Sequence, residues 1–449
     1  MIELSLREIA QICGGKVLPG SAAGTHIRGI SSDSRAEQKA ALFVALSGPH
    51  FDAHDFIEEA RSNGAAAFLV SRPVSGPGVL VPDTLQALQT LAAAWRQRCP
   101  AKVIGVTGSC GKTTVKEILA AILQESGRVL ATRGNLNNHI GVPLTLARLS
   151  GDDRFAVIEM GMNHAGEIRV LSRMAAPDLV IINNAGTAHL ENLGSVEAIA
   201  AAKGEILEGL GPQGIAVLNG DDVFCDSWAE RAPGEVWRFS LADQPARVRG
   251  QWRANAQGGE MEVRAPQGSF DLQIPLPGRH NGANVLAAVT AALALEIPIA
   301  AIVRSVAQLR GVPGRLQWVA GATDSRLLDD SYNANPASLE AALQVLAQQP
   351  GRRFLVLGDM GELGPEARAY HAQAGKRLRE LQIDGLFAIG PLSAAAVEAF
   401  GSGAAHFADL DSLLAALRLV LAPDATVLVK GSRAAHMERV IAALRTEAS

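Results

Sequence analysis

The sequence predicts an α/β chain of three domains: a small α/β domain at the N-terminus, a central parallel-sheet domain built around a glycine-rich loop, and a Rossmann-like domain at the C-terminus. Three observations lead there. Short apolar runs alternate with helical stretches along most of the 449 residues. The alternation pauses and restarts near residues 82 and 312, at stretches rich in Gly and Pro. The length leaves room for two to four domains at roughly 100–200 residues each.

The first domain is expected over 1–82. Strand-like runs at 41–46 and 65–70 alternate with helical ones at 4–13 and 53–62, and the Pro, Gly and Ser of 71–82 read as a loop. The central domain is expected over 83–312. It opens with an Ala/Leu helix at 84–98, then a strand at 103–106 that runs into a glycine-rich loop and a helix over 112–125. Further strands are expected at 155–159, 179–183 and 214–218. Continuous apolar strands between helices imply a parallel, doubly wound sheet. Residues 246–276 alternate apolar and polar, with a turn signal at Gln257-Gly258-Gly259, and read as an antiparallel patch. A helix follows at 284–295. Gly311-Val312-Pro313-Gly314 reads as a hinge before the third domain, 313–449, with strands at 327–330, 354–357, 385–388 and 426–429 and a last helix at 433–444.

Composition narrows the function classes. Apolar residues make up 48% and charged residues 19%, so cores can be large, and with 4% aromatics they must be aliphatic. A net charge of -4 argues against a nucleic-acid partner. Cys13, Cys99, Cys110 and Cys225 are far apart and suggest neither a disulfide framework nor a zinc site. The N-terminus lacks the pattern of a signal peptide, and no apolar run reaches the roughly 18 residues of a membrane span. A cytoplasmic monomer is the simplest expectation.

The chemistry concentrates in loops that follow strands. Gly105-Val106-Thr107-Gly108-Ser109-Cys110-Gly111-Lys112-Thr113-Thr114 is a phosphate loop, in which backbone amides and a helix N-terminus face phosphate oxygens. Lys112 would reach the β- and γ-phosphates, and the Thr113 hydroxyl would serve Mg²⁺. The strict phosphate-loop pattern wants Gly where Val106 stands, so the spacing differs from that of switch and motor ATPases. Glu159 ends a strand beside this loop, where a carboxylate can hold Mg²⁺. His189 follows the next strand. In the third domain, three polar loops end strands: Asp329-Asp330-Ser331-Tyr332-Asn333-Ala334-Asn335-Pro336, Gly358-Asp359-Met360-Gly361-Glu362-Leu363-Gly364, and Lys430-Gly431-Ser432-Arg433. A doubly wound domain binds its ligand at such loops. Asn335-Pro336 also reads as a helix cap. The N-terminal clusters Ser31-Ser32-Asp33-Ser34-Arg35 and Phe51-Asp52-Ala53-His54-Asp55-Phe56 fit a pocket or a capped turn equally well.

Together these pieces resemble the Mur ligase family of ATP-dependent amide ligases. The 107–114 loop, Glu159, His189 and Lys203-Gly204-Glu205 stand in that family's order. Gly134-Asn135-Leu136-Asn137-Asn138, Glu159-Met160-Gly161, the 330–336 loop, Leu357-Gly358-Asp359-Met360 and Val429-Lys430-Gly431-Ser432-Arg433 favour the member that joins D-alanyl-D-alanine to UDP-N-acetylmuramoyl-tripeptide. The resemblance implies that ATP and a pair of Mg²⁺ ions bind the central domain, that the uridine nucleotide end of the substrate binds the first, and that the third closes over the nucleotide. It implies nucleotide contacts at Gly108, Ser109, Cys110, Gly111, Lys112, Thr113, Thr114, Asn138, His280, Asn281, Asn284, Arg315, Asp330 and Tyr332. Metal contacts fall at Thr113, Glu159, His189 and Lys203, the last as a carbamylated lysine. Lys112, Lys203, His189 and Arg315 would carry catalysis. Ser34, Arg35, Asp52 and His54 would serve the uridine side. Two departures lie there: Asp52-Ala53-His54 replaces the usual Asp-Gly-His, and Glu37-Gln38-Lys39-Ala40-Ala41 replaces the usual stretch before Leu42-Phe43. The competing readings are another ligase of this family, a folylpolyglutamate synthase-like ligase, or a switch ATPase.

Overall fold

The computed structural model describes residues 1–187, 190–255 and 258–446. Three large sheets organise the chain, one in each of three α/β domains, and two two-stranded sheets accompany the first.

The N-terminal sheet has five short strands in the order Lys16–Val17, Gly78–Leu80, Ala67–Val70, Leu42–Val44, Ile30–Ser31, parallel except for the first pair. The stretch 71–82 is therefore not all loop. Its strand Gly78–Leu80 is hidden in a Gly/Pro/Ser context, and pairing with Ala67–Val70 overrides that composition. The expected helix over 53–62 divides into a 3₁₀ turn, Ala53–Phe56, and an α-helix, Ile57–Ser62. Likewise Glu3–Ser5 is a strand, and the first helix is Leu6–Cys13, capped by Ser5.

The central sheet has nine strands. Val129–Ala131, Phe155–Glu159, Lys102–Thr107, Leu179–Ile182, Ile215–Asn219, Glu235–Ser240 and Val248–Asn255 run parallel in that spatial order. Gly258–Ala265 and Gly268–Ile274 then add antiparallel hairpin strands, as alternation predicted. Gln257 of the expected turn lies outside the described residues, and Gly258 and Gly259 belong to the strand. Buried aliphatics from both faces form two large cores, one under the helices Lys112–Gln124 and Arg279–Ala294 and one under Glu167–Ala175 and Val196–Gly204.

The C-terminal sheet runs Gln317–Ala320, Arg326–Asp330, Ala425–Lys430, Arg352–Gly358, Gly385–Ile389, Ala404–Phe407, parallel after the first pair. The expected last helix over 433–444 is broken. A turn at Arg433–Ala435 ends where His436 adopts φ +50°, and the helix proper is Glu438–Leu444. Among the described residues no helix is long and apolar enough to cross a membrane, and all four cysteines are free.

Candidate active site

The phosphate loop leaves the central strand Lys102–Thr107, which lies between Phe155–Glu159 and Leu179–Ile182. That register delivers three loops to one edge of the sheet: the phosphate loop, the turn after Glu159 and the turn after Ile182. Gly111 sits at φ +80°, and a Cβ there would lie 2.3 Å from the Asn284 Oδ1. Glycine is required both by backbone conformation and by the crowding. The helix Lys112–Gln124 then starts with its first amides unpaired by helix geometry.

Glu159 is 2% exposed. Its carboxylate accepts from the Thr113 hydroxyl (3.0 Å) and the Asn137 amide (2.8 Å), both neutral donors. Lys112 donates to the Gly108 carbonyl (2.7 Å), and burial lowers its pKa against the pull of Glu159. The C-terminal domain is docked onto this edge. Arg315 Nη2 donates to Thr113 Oγ1 (3.3 Å) and its guanidinium lies 4.1 Å from the Tyr332 ring centroid. Asn335, capping the helix Pro336–Ala347 as its Asn-Pro pair predicted, meets Cys110 Sγ at 3.4 Å. Asp330 is paired with the buried Lys430 at 2.5 Å, and Lys430 also donates to the Asn333 carbonyl (3.0 Å). His280, near this pair, is pushed down to about 4, chiefly by burial and also by Lys430, against Asp330. It is neutral at pH 7.

These elements enclose a cavity of about 1040 Å³. Most of the expected nucleotide residues line it: Ser109, Cys110, Gly111, Lys112, Thr114, Asn138, His280, Asn281, Asn284, Arg315, Asp330 and Tyr332. Gly108 and Thr113 complete the loop behind them. Not every polar atom faces a ligand. The Asn138 oxygen accepts from the Ile140 and Gly141 amides. Asn281 and Asn284 bond to each other, to the Pro277 carbonyl and to Asn183.

Lys203 stands in the last turn of the helix Val196–Gly204 and is 1% exposed. Its pKa falls well below the usual lysine value, first from burial and then from Lys112. His189 lies outside the described residues. Among the described residues no group of three or more His, Cys, Asp or Glu converges on one point. Mg²⁺ fits nonetheless, because Glu159 offers a buried carboxylate that forms no salt bridge among the described residues, and Thr113 a hydroxyl beside it. Mg²⁺ commonly takes one or two carboxylates and completes its shell with waters and substrate phosphates.

Profiles of known families match along the chain: the Mur ligase middle domain at residues 106–292, the Mur ligase glutamate ligase domain at 314–433, and the Mur ligase family catalytic domain at 26–96. A relative from Escherichia coli (strain K12), UDP-N-acetylmuramoyl-tripeptide--D-alanyl-D-alanine ligase, is 44% identical over 455 residues, 99% of each chain. This chain belongs to the Mur ligase family. A crystal structure of MurF from Acinetobacter baumannii is similar to this Mur ligase with a TM-score of 0.92 and 36% identity over 98% of each chain. MurF ligase from Thermotoga maritima in complex with ADP has a TM-score of 0.83 and 29% identity, covering 93% of this chain and 96% of that one.

The Mur ligase candidates in the N-terminal domain stand apart: none of Ser34, Arg35, Asp52 and His54 lines the central cavity. Ser34 Oγ donates to Glu59 (2.5 Å), and Arg35 folds back in a two-pronged pair with Asp33. The His54 side chain is 1% exposed. Its Nε2 accepts from the Ser71 amide (2.9 Å), so Nδ1 carries the proton and donates to Asp52 (2.5 Å). Both ring nitrogens are engaged. His54 thus orients Asp52, whose carboxyl is lowered to about 2, first by the His54 amide. Two residues lining the cavity, Asn183 and Asn184, escaped the sequence reading. Their signal was present, since both directly follow a strand that adjoins the phosphate loop.

Proposed function

We propose that this chain is an ADP-forming amide ligase that joins D-alanyl-D-alanine to UDP-N-acetylmuramoyl-tripeptide and yields the pentapeptide precursor of peptidoglycan. One observation carries the mechanism: Arg315 of the C-terminal domain touches Thr113 of the phosphate loop, 202 positions away, beside the carboxylate of Glu159. Such an arrangement surrounds a transferring phosphoryl group with charge from two domains.

A peptide carboxylate is a poor acyl donor. Its oxygen attacks the γ-phosphorus of ATP, the bond to the β-phosphate oxygen breaks, and ADP leaves an acyl phosphate. Lys112 and Arg315 hold the phosphoryl oxygens as charge shifts towards ADP. The dipeptide amine then attacks the acyl carbon, loses a proton, and inorganic phosphate departs. The docked C-terminal domain excludes water that would hydrolyse the acyl phosphate. Mg²⁺ at Glu159 and Thr113 would supply charge neutralisation on the phosphates when bound.

Lys203 belongs to the same reading. Its depressed pKa favours the neutral amine, the form whose nitrogen adds to the carbon of CO₂ and releases a proton, giving a carbamate anion. An anion there would be stabilised by the Lys112 ammonium and would supply a second oxygen donor set for metal. The hinge at 311–314 and the domain limits near residues 82 and 312 complete the proposal, with the N-terminal domain receiving the uridine diphosphate end through Asp52, Ser34 and Arg35. The direct test is phosphate release from ATP in the presence of the UDP-linked tripeptide and a panel of dipeptides. Release that needs both, with D-alanyl-D-alanine preferred, is the expected result. Equal turnover with a single free amino acid would assign the chain to a different reaction.

A further inference from the structure

The phosphate loop does not hold its own shape. A short segment of the neighbouring turn, 184–186, is stitched along it. The Ser109 amide donates to the Asn184 carbonyl (3.0 Å). Next, the Cys110 amide donates to Asn184 Oδ1 (2.9 Å), while Asn184 Nδ2 donates back to the Cys110 carbonyl (3.1 Å). The Ser109 hydroxyl accepts from the Gly186 amide (2.8 Å) and donates to the Gly186 carbonyl (3.2 Å). On its far side the segment is tied down by Asp222, which accepts from the Ala185 amide (2.8 Å) and the Phe224 amide (3.0 Å).

The Asn184 carboxamide thus imitates a strand edge: one side chain engages both the N–H and the C=O of a single residue, Cys110, whose carbonyl also accepts from Asn183 Nδ2 (3.0 Å). The consequence is selective. The amides of Ser109 and Cys110 are engaged inside the protein, whereas those of Gly111, Lys112, Thr113 and Thr114 have no acceptor among the described residues. Anion-binding amides must be free and convergent. We infer that Asn184 is a positioning residue for the nucleotide: it clamps the Cys110 peptide so that the free amides of 111–114, at the helix N-terminus, form the phosphate cradle, and it couples that cradle to the turn leading to Thr187. This inference rests on the nucleotide reading above.

The test uses the full chain and ADP as the probe. Calorimetric titration of Asn184→Ala is expected to show ADP affinity about 5- to 30-fold weaker, the equivalent of one to two hydrogen bonds. Asn184→Leu, which keeps the bulk and loses both hydrogen bonds, is expected to show the same loss. In both variants the affinity for the UDP-linked tripeptide and the KM for the dipeptide stay within twofold of the unaltered chain, a split that general destabilisation would not produce. Deuterium exchange in the peptide covering 106–112 is expected to accelerate in the unliganded variants, with the flanking strands unchanged. Unaltered ADP affinity in both variants, or equal loss of affinity for both substrates, overturns the clamp. Failure of the unaltered chain to bind ADP overturns the nucleotide reading and the clamp with it.

Discussion

Lys203 and Lys430 are both 1% exposed, yet the two regions treat a buried ammonium in opposite ways. Lys430 in the C-terminal domain has the Asp330 carboxylate at 2.5 Å and the Asn333 carbonyl at 3.0 Å. Lys203 in the central domain faces another cation, Lys112, and its pKa is driven well down. A buried charge persists where a partner compensates its lost hydration, and otherwise the group neutralises. The contrast separates a lysine whose ammonium fixes a loop from one for which burial disfavours the ammonium form. Sequence alone presents each as a Lys beside a Gly.

Four measurements sharpen or break that comparison. The largest effect is expected from Lys203→Ala, with ligation slowed about 1000-fold and part of the loss restored by short carboxylates such as formate or acetate, since an anion is what the site lacks. Lys430→Ala should show no such rescue, and full activity of the Lys203 variant without additive would remove the carbamate from the proposal. Next comes Asp330→Ala. It strands the Lys430 ammonium, and chemical denaturation should show a loss of about 3 kcal/mol, whereas Lys203→Ala should leave stability unchanged or raised. A neutral result for Asp330→Ala would mean that Lys430 is not held as a charge. Third, Arg315→Ala should lower kcat about 100-fold with the affinity for the UDP-linked substrate intact, because its guanidinium reaches the phosphate loop and not the N-terminal domain.

The smallest effect concerns His280. Its folded pKa, about 4, lies below the ordinary 6.5. The unfolded chain therefore binds the proton first as pH falls, and stability contributed by the neutral ring is complete above pH 6.5 and declines towards pH 4. Between pH 7.5 and 5.5 the loss should be about 1 kcal/mol, absent in His280→Gln. An imidazole titrating near 6.5 by NMR would contradict the desolvation of this half-buried ring.

Much of the site was legible before any tertiary information. Phosphate loops announce themselves through glycines between a strand and a helix, and Glu159 through its place at a strand end. Asn335-Pro336 was readable as a cap because capping is local. Other features were not. The strand Gly78–Leu80 looked like loop because its three residues gain strand character from Ala67–Val70 rather than from their own composition. The break at His436 interrupts a stretch whose apolar spacing is helical throughout. His54 looked like a substrate contact because its motif did, and only the Ser71 amide on its second nitrogen shows that the ring is buried support.

The sequence by itself determined most of the strands and helices around the site, where the glycine-rich loop falls and in what order the chemical groups follow it. These depend on periodicity and backbone conformation within a few residues. Tertiary structure alone decided which of two similar lysines is paired, which amides of the phosphate loop remain free, and that Arg315 meets Thr113. Each of those depends on contacts between positions far apart in the chain, whose hydration and partners exist only once the sheets have formed and the domains have met.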